Sequence, residues 1–345
     1  MSLHKEIFEQ ADVLAQLFSD GRSKIAQIGA EIRKLSPQYV FLAARGTSDN
    51  AGRYANYLWG SMNGLPVALA TPSLFTYYRR PPRLSGALVV GISQSGQSPD
   101  IVSVLQEGRR QGCATLAITN APESPLAAEA DFVLDILAGV ETAVAATKTY
   151  SAELMAIAML SAALRQDEDQ FKALSLVPGW ARQALALDER IARIAERYRY
   201  MSHCVVIGRG YNYATAFEWS LKLKELTYVV AEPYSSADFQ HGPIAMVDSG
   251  FPVMAVAMAG DVFPDVLDLL ARLREQHQAE LLVVSDRSEA LELAQSPLAL
   301  PEGIPEWITP LVAIIPAQLF AYYLTLVRGF DPNHPRIIQK ITETH

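Results

Sequence analysis

Ala87-Leu88-Val89-Val90-Gly91-Ile92-Ser93-Gln94-Ser95-Gly96-Gln97-Ser98-Pro99-Asp100 turns a short apolar run into a helix start through a loop crowded with hydroxyls. The first six residues read as a parallel strand buried on both faces. Ser98 stands at a cap position with Pro99 at the first helical position, and Ile101, Val102, Val104 and Leu105 supply the apolar face that follows. First-turn amides of such a helix lack partners, so an anion in the loop gains hydrogen bonds and the positive end of the helix dipole. The stretch has no Gly-Lys-Ser/Thr, so it is not a P-loop, and it lacks the Gly-x-Gly-x-x-Gly spacing of a dinucleotide site. Taken alone it also reads as an ordinary Ser/Gly-rich turn.

Working outward, the chain repeats itself. Val40 to Gly46 matches Cys204 to Gly210 at an offset of 164 positions, Ala87 to Ile92 matches Pro252 to Ala257 at 165, and Ala114 to Asn120 matches Glu280 to Asp286 at 166. Three strands in register across one period indicate a duplicated domain. Strands alternating with helical stretches such as Asp100 to Gln111 and Asp265 to Gln278 predict right-handed parallel α/β units with ligands at the carboxyl ends of the strands. The expectation is two tandem flavodoxin-like domains, each a parallel sheet sandwiched by helices. Helical residues Ile7 to Leu35 precede the first and Ala184 to Tyr198 precede the second. The boundary is placed near Gln166 to Gln183, where Asp167-Glu168-Asp169 is polar and Pro178 and Gly179 break helix. The divisions are a helical segment over 1–24, a phosphate-binding domain over 25–170, a second domain over 184–330 and a tail over 331–345.

With 345 residues and 50% hydrophobic content the chain can bury two ordinary cores. A net charge of −8 and no basic run longer than Arg79-Arg80 or Arg109-Arg110 argue against a nucleic-acid partner. Cys113 and Cys204 form neither a Cys-x-x-Cys nor a disulfide scaffold, which fits a reducing compartment, and no metal site is expected. Met1 to Glu6 carries an acid and no long apolar core, so no secretory signal is read there. The apolar stretches Tyr150 to Leu164, which holds Glu153, and Leu311 to Val327, broken by Pro316 and Gln318, read as buried helices. The expected location is cytoplasmic, with no membrane partner.

The halves are not chemically equivalent. Opposite Ser93 to Ser98 the second half has Met258-Ala259-Gly260-Asp261-Val262-Phe263, with an acid where phosphate would sit, so the anion site is expected only in the first half. Two more loops belong to that site if the fold is right: Gly46-Thr47-Ser48-Asp49-Asn50 after the first strand, and Glu141 to Lys148 after the fourth, Phe132 to Ile136. Thr47 and Ser48 read equally as a helix N-cap, and Lys148 as a solvated first-turn residue.

Gly46-Thr47-Ser48, Ser93-Gln94-Ser95-Gly96, Ala146-Thr147-Lys148, Leu221-Lys222-Leu223-Lys224-Glu225, His241-Gly242-Pro243 and Pro335-Arg336 to Lys340 together resemble the sugar isomerase (SIS) family. The likeness is to the isomerase half of glucosamine-6-phosphate synthase and, equally, to stand-alone SIS-type glucosamine-6-phosphate deaminases. The motifs run in order from about residue 25 to 345. The resemblance implies that Ser93, Gln94, Ser95, Gly96 and Ser98 hold a sugar phosphate, and that Thr47, Ser48 and the backbone around Val144 and Ala146 face the sugar. Ser98 stands where the synthase pattern has threonine, and Ala146 replaces a serine, which removes one contact. The resemblance further implies Glu225 as the proton-shuttling glutamate with Lys222 one turn back, His241 as the ring-opening histidine supplied by the neighbouring subunit, and Lys340 as the active-site lysine of the tail. No cofactor is implied.

Those roles make chemical sense. Moving a proton between C1 and C2 of an open-chain sugar needs one base that reaches both carbons, and a carboxylate in a dry pocket suits that work. A hexose phosphate arrives mostly cyclic, and histidine suits the proton transfer that opens the ring. By its local sequence alone Glu225 reads as a salt-bridged surface residue and Lys340 as a solvated tail residue. Only their order relative to the phosphate loop gives them these parts. The synthases carry an amino-terminal glutaminase whose first residue is cysteine. Here Ser2 follows Met1 and about two dozen residues precede the first strand unit, and the ending Lys340-Ile341-Thr342-Glu343-Thr344-His345 departs from the synthase tail. The expected activity is therefore conversion of glucosamine 6-phosphate and water to fructose 6-phosphate and ammonia, by a homodimer with shared sites. The alternatives are a deglycase or deaminase of another amino-sugar phosphate, such as galactosamine 6-phosphate or a fructosamine 6-phosphate, and a sugar-phosphate-binding regulator without turnover.

Overall fold

A computed structural model describes residues 2–338 and Lys340. The chain forms two compact units. The first comprises Asp12–Thr142, Ala146–Leu176 and the tail from Ile338; the second comprises the chain up to Ala11, Ala143–Ala145 and Val177–Ile337.

In the first unit five strands, β1 (Tyr39–Ala43), β2 (Val67–Leu69), β3 (Ala87–Ile92), β4 (Ala114–Thr119) and β5 (Phe132–Asp135), form a wholly parallel sheet of order β2-β1-β3-β4-β5. In the second, β6 (His203–Gly208), β7 (Val230–Ser235), β8 (Pro252–Val256), β9 (Glu280–Ser285) and β10 (Ser296–Ala299) pair in the corresponding order β7-β6-β8-β9-β10. This is the flavodoxin-like order, whose ligand crevice lies where the strand order reverses, at β1 and β3 in the first unit. The duplication expected from the period of 164 to 166 residues is present in both sheets. The edge strand between each first strand and its central neighbour, β2 and β7, was not anticipated, so Phe132 opens the fifth strand rather than the fourth.

Strand β3 is buried end to end, and β4 from Thr115 onward, because helices cover both faces of the sheet. One face packs Phe41, Val89 and Ala117 against Ile101, Val104 and Leu105 of the helix Pro99–Arg110. Helices Gly46–Asn63 and Lys148–Arg165 pack against each other in the same unit. In the second unit Val205, Val253, Val283 and their neighbours pack against Val266, Leu269 and Leu273 of the helix Phe263–Glu275.

The linker differs from the polar, helix-breaking boundary expected near 166–183. It is helical: Glu168–Ser175 is capped by Asp167, whose carboxylate accepts from the amides of Asp169 and Gln170, and Val177–Leu185 carries Pro178 in its first turn. A proline there lacks only an amide that has no helical partner anyway. Ala184 to Tyr198 is broken at Ala186 and Leu187 into two helices, the second being Asp188–Arg197. Among the described residues one helical stretch, Glu306–Val327, is long and apolar enough to cross a membrane by length and composition, and 78% of its apolar window is buried within the protein.

Candidate active site

The anion loop forms at the carboxyl end of β3. Ser98 is the N-cap of the helix Pro99–Arg110 and makes no capping bond with its own side chain. Internal bonds shape the loop instead: Ser93 Oγ accepts from the Gly96 amide at 3.1 Å, and Ser95 Oγ from the Gln97 amide at 3.3 Å. The backbone carbonyls of Gln94 and Gly96 accept from the amides of Asn120 and Leu126 at 3.2 and 3.1 Å, tying the loop to the connection after β4. Gly96 has φ +62°, and a Cβ there would stand 2.0 Å from Ser124 Oγ. Asp100, 1% exposed, receives Arg45 Nε at 2.7 Å, which fixes the loop after β1 to the helix that starts the anion site. Ser93 and Gly96 are buried, Gln94, Ser95 and Ser98 half-buried.

Gly46, Thr47 and Ser48 form the first turn of the helix Gly46–Asn63, whose N-cap is Arg45, so neither hydroxyl residue is the cap. The Ser48 hydroxyl points inward and donates to buried Glu153 at 2.8 Å. Ala146 is half-buried, and Lys148 opens the helix Lys148–Arg165 buried at 4% exposure rather than solvated.

Between these loops lies Glu141, a residue that the sequence reading did not single out. Its carboxylate is buried and accepts from the amides of Thr147 and Thr149 at 2.9 and 3.2 Å, from Thr149 Oγ1 at 2.7 Å and from Lys340 Nζ at 2.6 Å. Burial alone would raise the Glu141 pKa; the Lys340 charge and these hydrogen bonds outweigh it and hold the group below its ordinary 4.5. Lys340 is thus seated in the first unit, while residues 341–345 of the expected active-site tail lie outside the described residues. A cavity of about 570 Å³ is lined by Gln94 of the anion loop, Gln16, Asn120, Asp135, Gly139 and Glu141.

The remaining candidates lie in the second unit. Val144 is half-buried beside Ala143, whose amide is held by the buried Glu6 carboxylate at 3.1 Å. Helix Tyr213–Lys222 runs directly into a π-helical turn, Leu223–Thr227, that ends at Tyr228 with φ +60°. Wide turns of this kind re-aim side chains and are frequent at functional sites. Here the turn carries Glu225, half-buried, with Oε2 2.6 Å from Lys222 Nζ. On its other side Lys222 lies 3.3 Å from Glu218 Oε1, and both residues are fully buried. Burial would lower the Lys222 pKa, but Glu218 and Glu225 together raise it above its usual value, so the buried lysine is an ammonium. Glu218 is the second carboxylate that sequence reasoning missed. His241 follows the short helix Ser236–Gln240 with its side chain exposed.

The second unit's counterpart of the anion loop is already occupied by its own chain. Glu306 Oε2 accepts from the Asp261 amide at 3.0 Å, Asp286 Oδ1 from the Ala259 amide at 2.8 Å, and a Cβ on Gly260 would meet the Glu306 carboxyl carbon at 2.1 Å. The expectation of an acid in place of phosphate points to Asp261; the carboxylates on the loop amides are those of Glu306 and Asp286.

Two parallel five-stranded sheets of flavodoxin-like order, each covered by helices, make this a tandem α/β protein. The SIS domain profile matches residues 36–163 and 199–328, and the chain belongs to the SIS family. It is 37% identical over 324 residues to the isomerizing glutamine–fructose-6-phosphate aminotransferase of Thermosynechococcus vestitus, a match covering 88% of this chain and 51% of that protein. The Thermus thermophilus enzyme of the same name is 32% identical, over 97% of this chain and 58% of the relative. The chain thus spans just over half the length of the curated relatives it matches, and it is homologous to their isomerase domain. Among solved structures, the C-terminal domain of glucosamine-fructose-6-phosphate aminotransferase from Francisella tularensis superposes with a TM-score of 0.86 at 28% identity, covering 98% of this chain and 97% of that one. A Silicibacter pomeroyi protein, provisionally assigned as a phosphosugar isomerase, gives 0.85 at 31% identity, covering 96% and 99%. Glucosamine-6-phosphate deaminase from Thermotoga maritima, at 21% identity and TM-score 0.80 with both chains wholly covered, shares the fold.

Proposed function

We propose that this SIS protein is an amino-sugar phosphate deaminase and isomerase acting on glucosamine 6-phosphate. The observation that carries the reading is Glu225, a half-buried carboxylate turned outward by a π-helical turn and held 2.6 Å from the fully buried Lys222 ammonium. Such a carboxylate keeps a fixed direction and an accessible oxygen, which a base serving two adjacent carbons requires. The anion loop Ser93 to Ser98 binds the phosphate through hydroxyls and amides and carries no charged side chain of its own. Thr47, Val144 and Ala146 face the sugar, Ser48, expected to do the same, has its hydroxyl turned to Glu153, and His241, exposed in its own chain, opens the ring in the site of a neighbouring subunit.

In the open-chain substrate Glu225 removes the C2 proton and returns it to C1 while O1 gains a proton and the amine nitrogen gives one up, converting the aldehyde and amine into a C1 alcohol and a C2 ketimine. Water adds at C2, and the C–N bond breaks to release ammonia and fructose 6-phosphate. The electron pair of the C2–H bond ends in C1–H, so no redox partner is needed. Kinship to the aminotransferases favours a second reading, in which the same proton transfer runs from fructose 6-phosphate toward the amino sugar with ammonia as the nitrogen source.

Ammonia release from a small panel of amino-hexose 6-phosphates tests the assignment. Glu225→Gln is expected to lose deamination and C2 hydrogen exchange by roughly a hundredfold or more while still binding sugar phosphate. Normal exchange by that variant would place the base elsewhere, and absence of ammonia from every substrate would overturn the deaminase assignment.

A further inference from the structure

Glu141 opens the loop Glu141 to Lys148 but was given no role of its own above, yet it is the point where Lys340 meets the first unit. Its carboxylate is gripped from below by two amides and one hydroxyl of Thr147 and Thr149 and presents its remaining reach to Lys340 at 2.6 Å. Lys340 keeps 23% side-chain exposure, while Glu141 is closed off. A buried carboxylate with one cationic partner is an anchor whose loss leaves a lysine without a counter-charge. The flanking Ile337 and Ile338 are exposed and contribute little apolar burial to hold this part of the tail.

We propose that Glu141 is a positioning residue for the reaction: it draws Lys340 onto the loop after β5 and holds the lysine side chain in a fixed direction beside the cavity that begins at Gln94. The loop Glu141 to Thr149 thereby has two tasks, shaping the sugar subsite at Ala146 and fixing the tail. A fixed ammonium favours a proton transfer that develops negative charge on O1 of an open-chain sugar. This last step rests on the proposed function; the anchoring itself does not.

The test therefore has an arm independent of turnover. Reductive methylation of the whole protein by formaldehyde and a borane, read by mass spectrometry at Lys340, is expected to be slow in the wild type. In Glu141→Gln, which keeps the shape and one acceptor oxygen for the Thr147 and Thr149 amides but removes the charge and the acceptor facing Lys340, it is expected to be about tenfold faster or more. Glu141→Asp should recover part of the protection. Equal labelling of wild type and Glu141→Gln overturns the anchoring. Should Glu141→Gln not fold, Thr149→Val, which removes one of the carboxylate's supports, takes its place, with intermediate labelling expected and unchanged labelling counting against the proposal. In the activity arm, Glu141→Gln is expected to lower kcat more than it raises KM, and to cost nothing further in a Lys340→Ala background because it acts only through that lysine. A full additional loss in that background overturns the positioning role even where labelling supports the anchor. If no amino-sugar phosphate is turned over, the labelling arm still decides.

Discussion

Gly96 and Ser124 approach so closely that no side chain can stand between them: a Cβ on the glycine would lie 2.0 Å from the serine Oγ. With φ at +62° the position also disfavours a side chain on backbone grounds. Gly96→Ala is therefore expected to displace the Ser93 to Ser98 loop and to destabilise the first unit by at least about 2 kcal/mol. Thermal denaturation with and without inorganic phosphate checks this. The wild type should gain stability from phosphate and the variant should gain little, and equal gains would mean that the anion binds elsewhere.

Lys222 is expected to matter for folding as well as for chemistry. Replacing it by methionine keeps the volume and strands Glu218, which is 0% exposed, without its cation. Leaving one buried charge uncompensated costs about 3 to 5 kcal/mol. Denaturant unfolding should show that loss in Lys222→Met, and the double variant Lys222→Met/Glu218→Gln should recover much of it.

The pH dependence follows from Glu141. Its folded pKa is lowered below 4.5, so its contribution to stability is present above that value and disappears as pH falls through the lowered folded value. The stability gap between wild type and Glu141→Gln, measured in urea, should be wide at pH 7 and shrink progressively below about pH 4.5. A gap unchanged at pH 3 would show that the carboxylate charge contributes nothing to holding the loop.

If His241 completes the site of a neighbouring subunit, two inactive proteins should repair each other. Mixing His241→Ala with Glu225→Gln allows hybrid dimers in which one site holds both intact residues. Random exchange gives about half hybrids with one complete site each, so activity should approach roughly a quarter of wild type, a consequence of two-fold symmetry. No recovery after demonstrated subunit exchange would place both residues in one subunit's site.

The parallel strands β3, β4, β8 and β9 were legible because they are buried on both faces and write that burial as unbroken apolar runs. The edge strands were not. β2 is three residues long, and β7 carries Glu232 and Pro233, which an edge position tolerates and a central one does not. Within the site, Ser93 to Ser98 announced itself through the junction of strand, hydroxyl loop and Pro99. Glu141 and Glu218 did not, because what matters about each is burial against a lysine, at 199 positions' remove for Glu141, and a carboxylate's local sequence does not record that. The π turn at Leu223–Thr227 escaped for a related reason: its sequence is ordinary helix, and packing decides that it widens.

Glu306 gives the duplication its lasting asymmetry. By placing a carboxylate on the Asp261 amide, the second copy of the loop has made its ligand part of its own chain. A tethered group competes at an effective concentration that a dissolved anion at ordinary levels does not match. That copy is accordingly closed to an outside anion, while among the described residues no carboxylate is seen on the amides of its twin, Ser93 to Ser98, the loop proposed to take the substrate phosphate. Duplication thus left two loops of one ancestry in different states, one filled by carboxylates of its own chain, Glu306 and Asp286, and one not.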